Sequence, residues 1–284
     1  MVSHASWLTA GVAVLCLLAP PIAFPQTAAA RQEDRAVGES INYVFATDLG
    51  SGIYDLDGRT LQIYQLTYEK WLREARLGHV GMRFELPFTF GFFDFKTADV
   101  LSHGLPDRVD SFSIVPGVSF DYLLDEEWHL IPYVRAGFSV ASSSVDGWLY
   151  GAGIRAERRG DFHGWDNLAR SELAIAGVEY RSGVRGDQFV RLRQGFDFTR
   201  SIGWHLDGDR TVELGLYGVF DMTLDPPTAP VTGARQHPMQ AEFGFTFASR
   251  PRYHLWLFDM PRLGFGYRLA GELSSWRFVI GKPF

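Results

Sequence analysis

The stretch "VGMRFELPFTFGF", residues 80–92, decides how this chain folds. Val80, Met82, Phe84, Leu86, Phe88, Phe90 and Phe92 alternate without a break with Gly81, Arg83, Glu85, Pro87, Thr89 and Gly91. A period of two sends successive side chains to opposite faces of an extended strand, so one face is wholly apolar and the other mixes charge with glycine. A helix would scatter both sets around its circumference.

The same rhythm runs outward in both directions. Phe112 to Tyr122 puts Phe112, Ile114, Pro116, Val118, Phe120 and Tyr122 on one face and Ser113, Val115, Gly117, Ser119 and Asp121 on the other. Trp128 to Val140, Trp148 to Ala156, Leu173 to Tyr180, Val190 to Phe198, Val212 to Met222, Ala241 to Phe247, Leu263 to Leu269 and Trp276 to Phe284 follow. Less regular candidates at Ile41 to Thr47 and Leu61 to Leu72 bring the expected count to about twelve strands. Turn formers separate them: "LDEE" at 124–127, "SSSVDG" at 142–147, "RSGVRGD" at 181–187, "LDGD" at 206–209 and a Pro-rich segment at 224–238. Only Tyr68 to Ala75 reads as a possible two turns of helix. The expected class is all-β, with one domain spanning 41–284.

Composition narrows the setting. The chain is 46% hydrophobic and 15% aromatic, with 27 Lys and Arg against 33 acids and a net charge of -6, which leaves no basic footprint for nucleic acid. Residues 1–30 contain no Asp, Glu, Lys or Arg. Trp7 to Ala19 is an apolar run too short to span a bilayer, followed by Pro20, Pro21 and the small residues Ala28 to Ala30. That pattern is a secretory signal peptide, lacking a basic start, with cleavage expected before Arg31. The sole cysteine, Cys16, lies within it, so a chain cut there carries no thiol and no disulfide. A short segment, 31–40, then precedes the strands.

Alternation suits both a soluble sandwich and a membrane barrel. Three features favour an antiparallel transmembrane barrel. The apolar faces carry aromatics near strand ends (Trp128, Phe138, Trp148, Trp276), as lipid–water interfaces require. The opposite faces mix glycine with charge, which suits the tightly curved wall of a lumen. Closure satisfies every strand edge, and only closed sheets or helices do so in lipid. The charges expected to face the lumen are Arg83, Glu85, Arg135, Arg155, Glu157, Arg191, Arg193, Asp197, Glu213, Asp221, Glu242, Arg268 and Arg277. They would either line a selective pore or pair into a plug of salt bridges.

Several runs carry a family likeness: "LGSGIYDLDGRT" (49–60), "LPFTFGFFDF" (86–95), "VPGVSFDYLLDEEWHLIPYVRAGF" (115–138) and "LYGAGIRAE" (149–157). The sequence resembles the solitary outer membrane autotransporter-like β-barrel domain of Gram-negative bacteria. The likeness implies a location in the outer membrane and a twelve-stranded barrel without a passenger, and residues 31–40 leave no room for one. It also implies that Trp276, Phe278, Ile280 and Phe284, all expected toward lipid, form the signal read by barrel-assembly machinery. Lys282 would then snorkel toward headgroups.

Chemistry in the motifs is sparse. A lipid-modifying barrel enzyme needs a Ser and a His meeting at the outer rim, and the mature histidines form no His-x-Ser pair. Ser102 and His103 are adjacent and so point apart on a strand. His163 with Asp161 and Asp166 reads as a turn rather than a metal site, and "YDLDGRT" as a hairpin with Asp57 and Gly58 at its tip. No catalytic residue, cofactor site or metal site is expected. The function expected is that of a non-enzymatic membrane barrel, either a narrow pore or a structural and surface-interaction protein. The alternatives are a phospholipase- or deacylase-like barrel and a translocator for a separately encoded passenger.

Overall fold

The computed structural model describes residues 51–56, 59–93, 111–141, 146–181, 186–206, 208–224, 238–255, 258–259, 262–270 and 273–284, none of them helical. The expected signal peptide, segment 31–40 and the strand expected at 41–47 lie outside these residues. Alternating segments become β1 (Gly52–Leu56), β2 (Arg59–Arg73), β3 (Gly81–Phe93), β4 (Ser111–Ile114), β5 (Gly117–Leu123), β6 (Trp128–Ala141), β7 (Gly147–Phe162) and β8 (Trp165–Tyr180). They continue as β9 (Asp187–His205), β10 (Thr211–Leu224), β11 (Met239–Arg250), β12 (His254–Leu255), β13 (Phe258–Asp259), β14 (Leu263–Ala270) and β15 (Leu273–Ile280).

Each main strand pairs antiparallel with its neighbours, in the order β1-β2-β3-β4-β6-β7-β8-β9-β10-β11-β14-β15, with β5 also between β3 and β6. β4 and β5 are therefore two halves of one strand, and the sheet has twelve strand positions. β12 and β13 form a separate small hairpin. β1 lies against β15, where Arg277 Nε donates to the Ser51 carbonyl at 3.0 Å. The sheet thus closes on itself as an all-β antiparallel barrel.

The break in β4/β5 has a local cause. Pro116 has no N–H to give the ladder. Instead Val115 N donates to the Pro87 carbonyl (3.3 Å) and Ala136 N to the Pro116 carbonyl (3.0 Å), so the strand jogs but keeps its faces. Gly137 on β6 accommodates the jog, since a Cβ there would stand 1.9 Å from the Ile114 carbonyl oxygen. The connection between β7 and β8 is equally tight. His163 (φ 54°) and Gly164 (φ 78°) make a two-residue loop with both residues left-handed, the hairpin geometry that matches strand twist.

Three sequence expectations change. Tyr68 to Arg73 continues β2 as strand, because it pairs with β3 through Trp71↔Arg83, with a bulge before Arg73. β8 begins at Trp165 rather than Leu173, which adds Arg170 and Glu172 to its inner face. β15 stops at Ile280, where Gly281 (φ 93°) turns the chain away.

Burial is inverted relative to a water-soluble fold. Leu66, Val134, Trp148, Leu173, Phe196, Phe243, Phe265 and Trp276 are exposed, while Arg83, Glu157, Glu172, Arg191, Asp197, Asp221, Glu242, Arg268 and Arg277 are buried. Monomeric soluble proteins rarely leave such a continuous apolar band open. Exposed aromatics gather near both ends of the wall: Phe138, Trp148 and Trp276 toward one, Tyr68, Tyr122 and Trp204 toward the other.

Candidate functional site in the barrel lumen

Cross-strand register assembles the lumen chemistry from residues far apart in sequence. Arg155 on β7 stands opposite Glu172 on β8, Glu172 opposite Arg193 on β9, and Arg193 opposite Asp221 on β10. Four successive strands therefore carry charges of alternating sign along one row. Arg193 grips Asp221 through two bonds of 2.6 and 2.9 Å. Glu172 accepts from Arg155 Nε (3.0 Å), from an Arg191 guanidinium nitrogen (2.8 Å) and from the Tyr133 hydroxyl (3.2 Å).

A second knot lies on β11, β14 and β15. Glu242 accepts from Arg268 Nε (2.9 Å), from Arg277 (3.0 Å) and from the Tyr217 hydroxyl (2.8 Å). Tyr217 reaches it by lying across the wall above Gly244 and Gly266. A Cβ at Gly266 would meet the Tyr217 oxygen at 2.1 Å. Strand glycine is normally destabilising, and here it makes room for a ring laid flat against its neighbour.

The remaining expected residues also line the inner face. Glu69 and Glu85 oppose each other across β2 and β3, and Arg83 stands between them at 3.1 and 3.4 Å. Glu85 also accepts from Ser119 Oγ (2.9 Å) and Arg155 (3.4 Å). Glu157 is held by Arg159 (3.0 Å) and Arg170 (2.8 Å). Asp197 takes a two-pronged contact from Arg262, Glu213 a bond from Arg252 at 3.0 Å, and Arg135 lies half-buried 6.0 Å from the centre of the Tyr133 ring.

Phe284 departs from its expected position. Beyond Gly281 the chain turns inward: Gly281 N donates to the Arg262 carbonyl (2.8 Å) and Arg277 to the Pro283 carbonyl (3.2 Å). The Phe284 ring then packs on Tyr217, Val219 and Val279 inside the lumen, with the Arg170 guanidinium 5.4 Å from its centre. Trp276 is exposed and Phe278 and Ile280 are partly so, on the outer face. The four residues expected to face lipid together are thus split between the two faces. Lys282, expected to reach toward headgroups, is exposed, with Glu69, Glu157, Arg83 and Arg170 as its charged neighbours.

Sequence reasoning missed Glu172, Arg170, Arg262 and a His129–Asp121 pair. Glu172 and Arg170 have a signal, because "ARSELAIA" (169–176) alternates, although the run expected from the sequence begins only at Leu173. Arg262 lies outside any alternating run and had none. His129 Nδ1 and Asp121 Oδ1 sit 2.8 Å apart on the inner face, two strands of one turn brought together by register alone. Asp166, expected in a turn, bonds Arg250 at 2.9 Å, and Asp161 accepts from Gly164 N, as turn residues do.

The fold and the ion-paired lumen define a twelve-stranded antiparallel barrel with a polar interior. The structure is similar to the β domain of the Bordetella autotransporter BrkA, with a TM-score of 0.45 and 12% identity, over 80% of this chain and 93% of that one. No protein-family model matches the sequence, and no match is found among curated proteins.

Proposed function

We propose that this chain is a non-enzymatic outer-membrane barrel whose lumen is sealed by ion pairs, and that it acts as a structural or surface-interaction protein rather than a pore. The observation that carries this reading is the pairing of the interior. Glu157, Glu172 and Glu242 are each held by two arginines, and Asp197 and Asp221 each by a two-pronged one. A conducting pore keeps its charges free to exchange with passing ions, whereas charges committed to one another fill the space. The exposed apolar band and its two aromatic belts support a lipid surround. The two longest connections, 94–110 and 225–238, lie at the same end, while the other end carries 74–80, 124–127, 163–164, 206–210 and 251–262, which supports a periplasmic location for the latter.

An enzymatic reading finds less support. His129 faces Asp121 on the inner face at the end that carries turn 124–127, not at the outer rim, and the hydroxyl of Ser119 on the same face is committed to Glu85. The test is conductance. Purified protein inserted in a planar bilayer should stay electrically silent while migrating as a heat-modifiable band, and discrete single-channel steps from the unaltered chain would overturn the sealed reading.

A further inference from the structure

The inward turn of residues 281–284 exposes a site inside the barrel that the ionic network does not explain. The Phe284 ring occupies a slot floored by Gly195, where a Cβ would stand 2.6 Å from the ring. Its sides are Tyr217, Val219 and Val279, and its roof is the Arg170 guanidinium, 5.4 Å from the ring centre, which is cation–π geometry. One residue earlier, the Pro283 carbonyl takes a bond of 3.2 Å from Arg277. An aromatic pocket beside a fixed donor to a main-chain carbonyl is the equipment of a peptide site: the pocket selects the side chain and the donor aligns the backbone.

The slot draws its walls from several strands: Val279 on β15 itself, Tyr217 and Val219 on β10, Gly195 on β9 and Arg170 on β8. Chain leaving β15 must therefore turn back into the lumen to reach it. Gly281 makes that turn feasible, since φ of 93° is a conformation few other residues adopt.

We infer that the lumen contains a binding site for an extended peptide bearing an aromatic side chain, occupied in this structure by the chain's own residues 281–284. This rests on the sealed-barrel reading only for its setting, because the pocket exists whether or not ions pass. The occupant is displaceable in principle: it is held by the Phe284 ring, the buried Pro283 with its bond from Arg277, and the Gly281 bond to Arg262, with no strand ladder beyond Ile280 among the described residues. A peptide of the same chemistry therefore competes with it.

The test is binding of a fluorophore-labelled peptide ending in Gly-Lys-Pro-Phe to the full chain folded in detergent, followed by anisotropy. Unaltered protein should bind at least tenfold more weakly than Phe284→Ala, whose pocket is vacated. Adding Gly195→Leu to Phe284→Ala should abolish the gain, because the new side chain fills the slot. Phe284→Leu, a smaller loss of volume, should bind at an intermediate level and guards against a folding defect in the alanine variant; heat-modifiable migration verifies each protein. Equal binding by unaltered and Phe284→Ala protein would mean that the tail does not hold the site. Undiminished binding after Gly195→Leu would place the peptide elsewhere, and no binding to any folded variant would mean there is no peptide site. Each of these three results overturns the inference, and none of them alters the bilayer measurement on the unaltered chain.

Discussion

At the scale of single residues, Glu242 and Lys282 represent opposite electrostatic situations in one lumen. Glu242 is 2% exposed and anchors two arginines and a tyrosine. Removing it leaves two buried guanidiniums without their counter-charge, so Glu242→Ala should cost about 3 kcal/mol in denaturant unfolding from detergent. Glu242→Gln retains acceptors and should cost less. Lys282, by contrast, is exposed and has cations and anions alike for neighbours, Arg83 and Arg170 with Glu69 and Glu157. Exposed charge pairs contribute little, so Lys282→Gln should leave the temperature of the heat-modifiable transition almost unchanged. A shift of the size expected for Glu242→Ala would contradict this assignment.

At the scale of elements, the alternating row Arg155, Glu172, Arg193 and Asp221 ties four strands together. R193D should destabilise the barrel by setting like charges against both neighbours. The usual rescue, adding D221R, should fail, because the new carboxylate at position 193 would still face Glu172; full recovery in the double variant would show that the row does not act as a unit. At the β4/β5 jog, Gly137→Val should sharply reduce the yield of folded barrel, since even a Cβ collides with the Ile114 carbonyl. Strand identity and facing were legible in the sequence because period-two alternation is local, and Val80 to Phe92 needs no partner to be read. What sits opposite what was not legible. Register depends on turn lengths and bulges, so Arg155 meeting Glu172, or His129 meeting Asp121, became visible only with the ladder in place. The inward course of Phe284 was not legible for a different reason: the alternating pattern continues in the sequence past Gly281, whose left-handed backbone ends the strand.

At the scale of the whole molecule, the wall is a closed surface with an apolar outside and a cross-linked inside, and that arrangement predicts slow unfolding. Opening it would separate many ion pairs at once while exposing unpaired strand edges to lipid or detergent, so heating should convert the folded band to the unfolded one in a single step. A stepwise loss would point to independent halves. The unequal lengths of the connections have a practical consequence as well. In the orientation proposed above, whatever lies beyond the cell would meet this protein chiefly through 94–110 and 225–238, because the other links at that end, 57–58, 142–146, 181–186 and 271–272, are brief. An epitope tag inserted near Asp99 or Pro230 should be stained by antibody on intact cells, and one inserted between His163 and Gly164 should stay hidden until the cells are broken. The barrel would then serve as a display scaffold with two usable windows, and a phage or antibody that recognises the native chain should lose its grip when those two windows are exchanged.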